Sequence, residues 1–135
     1  MFDQEEQDIH LLEATTMLAA TTDMNFAEKV GNIAIKNQGG FHVRMDFQFI
    51  DPRGSSSRLR GSRKTIRLGR TETQDPGNYG LTDGALFTVH ADVEAGSSKT
   101  GTIWLRYEKN NKRIARFLIS GTTLDNELGF NGIRN

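Results

Sequence analysis

The 135-residue chain fits a single domain, because domains typically span about 100–200 residues. It contains no cysteine, which excludes disulfides, thiolate nucleophiles and cysteine-ligated metals. The formal net charge is zero, yet residues 1–28 carry seven acids and no Lys or Arg, so residues 29–135 carry all 17 bases against ten acids. The sequence therefore predicts two parts, an acidic N-terminal arm (1–28) and a basic domain (29–135).

Residues 2–20 of the arm are rich in helix formers and contain no Gly or Pro. Ile9, Leu12, Thr16 and Ala19 follow helical spacing, and acids cluster in the first turns, where they complement the helix dipole. We expect an amphipathic helix that needs a partner surface to be stable.

The N-terminus carries acids where a secretory signal carries Lys or Arg, so no classical signal peptide is predicted. No apolar run approaches the roughly 20 residues that a bilayer crossing requires. We therefore expect either a cytoplasmic protein or one released by a non-classical route.

From residue 30 onward the apolar residues recur with a period of two. The segment FHVRMDFQFI (41–50) is the clearest strand, because apolar and polar residues alternate along it. Further strands are predicted at NIAIKNQ (32–38), KTIRLG (64–69), ALFTVHADVE (85–94), TIWLRYE (102–108) and RIARFLIS (113–120). Asn110-Asn111 predicts a hairpin turn between the last two, and residues 51–63 and 72–84 are predicted as long loops. The predicted fold is all-β, an antiparallel β-sandwich with an N-terminal helical arm.

Catalytic signatures are absent from the sequence. No Ser lies in a G-x-S-x-G context, no phosphate-binding glycine loop precedes a helix, and the acids of the basic domain are scattered. His42 and His90, with Asp46 or Asp92, are the residues from which a metal site would be built, but no short-spaced ligand motif supports one. We expect no enzyme, no catalytic residues, no metal and no cofactor.

Seven Lys and Arg residues fall within residues 53–70 among Gly and Ser. Arg58, Arg60, Arg63 and Lys64 are the candidate residues for an anionic partner. Nucleic acid is not the expected partner, because no aromatic side chains for base stacking accompany them. A solvated loop and a docking surface for the acidic arm are the alternatives.

Four segments, taken in order, resemble the C-terminal membrane-recognition domain of the cholesterol-dependent cytolysins. They are IAIKNQGGFHVRMDF (33–47), ALFTVHADVEAG (85–96), TGTIWLRYE (100–108) and ISGTTLDN (119–126). The resemblance covers roughly residues 31–126. It implies a stand-alone β-sandwich whose loops at one end meet a membrane or a glycan.

Carried over residue by residue, the resemblance matches Thr123 and Leu124 to the cholesterol-recognising pair of that family. The segment around Trp104 takes the place of the family's Trp-rich loop, but two of the three loop tryptophans are replaced by Arg106 and Tyr107. We take Thr123, Leu124, Trp104 and Tyr107 as ligand-binding candidates, with Arg106 as a polar contact.

The leading prediction is a non-catalytic module, toxin-like or lectin-like, that binds membrane lipid (sterol) or a cell-surface glycan. The alternative is a self-assembling interaction protein. In that alternative the acidic arm of one copy docks on the basic sandwich of a neighbouring copy and builds a homo-oligomer.

Overall fold

The computed structural model describes residues 27–135, which form ten strands and one 3-10 helix. The helix expected over residues 2–20 lies outside the described residues, as does the arm apart from Ala27 and Glu28. The elements are β1 (Lys29–Val30), β2 (Asn32–Asn37), β3 (Val43–Ile50), β4 (Ser56–Arg60), β5 (Thr71–Gln74), the 3-10 helix (Pro76–Tyr79), β6 (Leu86–Val93), β7 (Lys99–Thr100), β8 (Leu105–Tyr107), β9 (Ile114–Gly121) and β10 (Asn126–Arg134).

The strands form two sheets that pack face to face, which confirms the predicted β-sandwich. The first sheet has the order β1-β8-β6-β3-β4, with β7 also paired to β6, and the second has the order β10-β9-β2-β5. The pairs β1–β8 and β2–β9 are parallel, so the sheets are mixed rather than wholly antiparallel. The chain changes sheets at Gly31, where only glycine fits because a β-carbon would overlap the backbone oxygen of Asn111.

The core lies between the sheets and follows the alternation predicted from the sequence. Phe47 of β3 meets Phe87 of β6 edge-on with ring centroids 6.3 Å apart, and Phe87 meets Tyr107 in the same way at 6.2 Å. Opposite them, the second sheet contributes Ile33, Ile35, Ala115, Phe117 and Ile119, all buried.

The basic segment 51–63, predicted as a loop, forms a hairpin instead. β4 pairs antiparallel with β3 across Asp46 to Ile50. The alternation that identifies a strand is weak here because β4 is an edge strand with a single apolar residue, the half-buried Leu59. The predicted strand KTIRLG was wrong: its only ladder contact is an isolated bridge from the buried Ile66 to Val43.

Three further differences concern connections. The Asn110-Asn111 turn does not close a hairpin, because β8 and β9 belong to different sheets. The segment 72–84 includes most of β5 and the 3-10 helix, and β10 was not predicted at all.

Within residues 27–135, no helix has the length and hydropathy needed to cross a bilayer.

Candidate functional site

Four turns meet at one end of the sandwich, which we call the tip. The ladder pairs Val43 with Val93, and Val43 also bridges to Ile66, so these strand ends lie together. In the second sheet, the amide of Gln38 donates to the carbonyl of Ile119 at 2.8 Å. The tip comprises the turns 38–42, 67–70, 94–98 and 122–125.

Asn37, fully buried at the end of β2, holds three segments of the tip in place. Its side-chain Nδ2 donates to the carbonyls of Phe41 (2.6 Å) and Ile66 (3.0 Å). Its Oδ1 accepts from the amide of Gly39 at 2.8 Å. These bonds satisfy the carbonyl of Phe41 and the amide of Gly39, which would otherwise lie buried without a partner. They also give the carbonyl of Ile66 a second donor, besides the amide of Val43.

The turn 67–70 presents Leu68 to solvent. The amide of Arg70 donates to the carbonyl of Arg67 at 2.9 Å, and Gly69 has φ +82°, as the third position of a type II turn requires. The amide of Gly69 also donates to the carbonyl of Asn37 at 2.6 Å. Leu68 therefore occupies the apex of a fixed turn, with 63% of its surface exposed.

The turn 122–125 presents Leu124 in the same way. The amide of Thr122 donates to the carbonyl of Asp125 at 2.8 Å, and the amide of Asp125 donates back to Thr122 Oγ1 at 3.1 Å. The carbonyl of Thr123 accepts from the amide of Ser97 at 2.9 Å, which joins this turn to its neighbour. Thr123 is half-buried, and Leu124 is 75% exposed.

The structure separates the other predicted ligand contacts from the tip. Arg106 pairs with Leu86 at the start of β6, and the eight residues of β6 extend roughly 23 Å toward the tip. Arg106 Nη1 donates to the carbonyl of Gly84 at 2.7 Å. Trp104 is half-buried beside β6, between β7 and β8.

Tyr107 belongs to the core rather than to a ligand-binding surface. Only 2% of it is exposed, because its side chain occupies an inward position of β8. Its hydroxyl donates to Asp75 Oδ1 at 2.6 Å. Burial, reinforced by this hydrogen bond, raises the pKa of the phenol to about 12.

The four predicted anion-binding residues do not form one site. Arg58 and Arg60 lie exposed on β4, away from the tip turns, whereas the other two each pair with an acid. Arg63 is additionally within 3.4 Å of Asp92. The pairs are Arg63–Asp46 at 3.1 Å and Lys64–Glu72 at 3.3 Å.

The two strand histidines do not come together. His42 is exposed and lies 3.2 Å from Glu94, while His90 is buried and contacts Thr100 Oγ1 at 2.8 Å. Burial and the nearby Arg58 lower the pKa of His90. Among residues 27–135, no group of three His, Asp or Glu is placed to hold a metal ion.

Sequence reasoning missed two parts of the tip. Leu68 was assigned to a strand, although R-L-G-R places an apolar residue directly before a glycine that favours a turn. Arg67 and Arg70 flank it and are both exposed. A turn reading of R-L-G-R, rather than a strand reading, would have found them.

No protein-family model and no curated protein matches the chain. Solved structures of cytolysins, the family that the motifs resemble, match it in structure. They include listeriolysin O (23% identity over 78% of this chain and 22% of that chain, TM-score 0.43). Pneumolysin (13%, 75% and 23%, TM-score 0.41) and suilysin from Streptococcus suis (14%, 78% and 24%, TM-score 0.41) are two others. The chain spans about a quarter or less of the length of each of these proteins.

The first prediction concerns Asn37. We expect Asn37→Ala to lower the free energy of unfolding by about 3 kcal/mol, because the carbonyl of Phe41 and the amide of Gly39 lose their hydrogen-bond partner and the carbonyl of Ile66 loses one of two. The matched control is Asn32→Ala, which removes a single half-buried bond to the carbonyl of Asn111 (3.2 Å) and should lose about 1 kcal/mol or less. Urea unfolding measures both. Equal losses in the two variants would contradict the role assigned to Asn37.

The second prediction concerns Tyr107. Its pKa is raised in the folded protein, so the unfolded chain loses the phenolic proton first as pH rises. The corresponding stability is fully present below pH 10 and is lost between pH 10 and about 12, by roughly 2 to 3 kcal/mol. Unfolding free energies are measured at several pH values for the original protein and for Tyr107→Phe. The difference between the two profiles isolates the contribution of Tyr107 to the pH dependence of stability. If the variant's pH profile runs parallel to that of the original protein, the assignment fails.

Proposed function

We propose that the protein is a non-catalytic recognition module that binds membrane lipid through the tip of its sandwich. The observation that carries this proposal is the placement of Leu68 and Leu124. They are the two most exposed large apolar side chains of residues 27–135, and both lie at the same end of the molecule. Paired apolar residues at turn apices suit insertion into the interface of a bilayer.

The geometry lets both leucines reach one surface. Their turns adjoin β9–β10 and β5 in the sheet order, so they are separated by two to three strand spacings, roughly 12 Å. Both turns are held by backbone hydrogen bonds, so little conformational entropy is lost on binding. Burial of a leucine side chain contributes about 1.5–3 kcal/mol, which makes a two-leucine contact weak and reversible.

Thr123 and Leu124 remain the residues proposed for sterol recognition. A hydroxyl next to an exposed aliphatic side chain matches a ligand with one polar end and an apolar body. A cell-surface glycan is the other ligand class predicted from the sequence, and the apolar character of both apices favours lipid over it. Trp104, Arg106 and Tyr107 lie outside the tip, so we assign them no part in this contact.

The third prediction tests the two leucines by vesicle co-sedimentation of the full chain. We expect Leu68→Ser and Leu124→Ser each to weaken binding about tenfold, because each removes about 1.4 kcal/mol or more of apolar burial. The matched control is Ile103→Ser, which replaces a 38% exposed aliphatic residue outside the tip and should bind normally.

Vesicles with and without cholesterol separate two forms of the proposal. Binding that requires cholesterol and is lost in Thr123→Gly supports sterol recognition, whereas cholesterol-independent binding supports a general lipid surface. If the original protein binds no vesicle but binds a glycan array, the lipid proposal is refuted and the glycan reading replaces it.

Self-assembly through the acidic arm is a second candidate, suggested by the charge difference between the arm and the basic domain. The base of the arm already contacts basic residues of its own chain. Arg113 Nη1 lies 3.0 Å from Glu28 Oε2, and the amide of Arg106 donates to the carbonyl of Glu28 at 2.9 Å. Arg106 also borders an apolar cleft of about 440 Å³ at the end opposite the tip. Residues Phe49, Ile50, Leu59, Leu81 and Leu86 line this cleft.

The fourth prediction tests this candidate with the full-length chain. If the arm joins copies, combining Glu5→Gln, Glu6→Gln and Asp8→Asn should convert an oligomer to monomer, because the arm then has three fewer charges to offer the basic domain. Light scattering at low and high salt measures the mass. An oligomer that is unaffected by both the substitutions and the salt is not held by the arm's charges.

A further inference from the structure

We propose that the tip contains a site for the anionic headgroup of a phospholipid, in the cleft formed by residues 64–72. This inference rests on the proposed membrane function and names the lipid class that the tip selects. The cleft has a volume of about 400 Å³. It is lined by Lys64, Thr65, Ile66, Arg67, Arg70, Thr71 and Glu72.

Arg67 and Arg70 supply the positive charge of the site. They are the first and fourth residues of the turn that carries Leu68, and the α-carbons of such residues lie within about 7 Å of each other. Both are exposed, and within residues 27–135 neither forms an ion pair with an acid. Two guanidinium groups on neighbouring positions suit a phosphate, which each can bind through two parallel hydrogen bonds.

The remaining polar residues of the cleft leave this charge in excess. Glu72 is the single acid in the lining, and Lys64 Nζ lies 3.3 Å from it, so these two charges offset each other. The hydroxyls of Thr65 and Thr71 add donors to the same cleft. The net result is a cavity with two unopposed cations and two hydroxyls, which is the chemistry that a phosphate headgroup requires.

The position of Leu68 ties the cleft to a membrane rather than to a soluble anion. Leu68 lies at the apex between the two arginines, so inserting it into the acyl boundary brings both guanidinium groups to the depth of the headgroups. The long arginine side chains fold back toward the polar layer while the leucine occupies the apolar one. One turn thus contacts both layers of the lipid.

The contribution of the cleft has to be separated from the general charge of the basic domain. The formal net charge of the whole chain is zero, but residues 29–135 carry 17 bases against ten acids. Arg58 and Arg60, equally exposed on β4 but away from the tip, provide a charge-matched comparison.

The fifth prediction compares two double variants of the full chain. Phosphatidylcholine vesicles, and vesicles in which part of that lipid is replaced by phosphatidylserine, are titrated with each protein. We expect Arg67→Gln with Arg70→Gln to reduce the preference for phosphatidylserine roughly 25-fold, since each basic residue at an anionic surface contributes about fivefold. Binding to phosphatidylcholine alone should fall less, because the choline of that lipid offsets the charge of its phosphate. Arg58→Gln with Arg60→Gln should retain the preference.

Three outcomes overturn the inference. Equal losses in both double variants would mean that general charge, not the cleft, attracts the lipid. A protein that binds both kinds of vesicle equally has no headgroup site. If neither vesicle is bound, the membrane proposal itself fails, and the cleft is then judged by amide chemical shifts of residues 64–72 on titration with glycerophosphoserine and with inorganic phosphate.

The titration with glycerophosphoserine and inorganic phosphate distinguishes failure of the membrane proposal from failure of the anion site itself. Shifts confined to the cleft, and absent from the Arg67→Gln and Arg70→Gln variant, would show an anion site that serves a soluble ligand, so the lipid source is refuted while the anion chemistry stands. The absence of shifts would refute both.

Discussion

The buried side chain of Asn37 is the constraint on which the tip depends. At the end of β2 its side chain accepts a hydrogen bond from the amide of Gly39 and donates to the carbonyls of Phe41 and Ile66. Without it the carbonyl of Phe41 and the amide of Gly39 would be unpaired next to a packed core, and the carbonyl of Ile66 would keep only the amide of Val43 as a donor. Because the turn carrying Leu68 is bonded to the backbone of the same residue, one buried amide orients the surface that we propose meets the lipid.

Which strands could be predicted from the sequence depends on how burial differs between the two faces of each strand. β3 and β6 were predicted well, because one face of each is buried and the other is largely polar, which produces a clear period of two. β4 and β10 are edge strands, and their exposed positions remove that signal. The parallel pairs also escaped prediction, since a period of two identifies a strand but carries no information about its partner.

The candidate site was predicted in part, for a similar reason. Leu124 was named through the motif resemblance of residues 119–126, and the structure places it at the tip. The burial of Tyr107 was not anticipated, because alternation along Leu105–Tyr107 puts it in the core, a position that motif resemblance does not reveal. The arginines of the tip were hidden inside a longer basic segment, in which ion pairs neutralise some members and not others. Only the positions of the acids in the described part of the chain identify which of these basic residues have no ion-pair partner there.

The parallel pairings have a consequence for biosynthesis. β1 is completed only by β8, where Lys29 faces Arg106, and β2 is held on one side by β9, where Asn32 faces Ile114. β1 and β2 must therefore wait for strands of the domain that are synthesised much later, and contacts so distant along the chain form slowly. Folding of the domain is consequently expected to wait until β9 has been synthesised, with apolar residues of β2 open to chaperones until then.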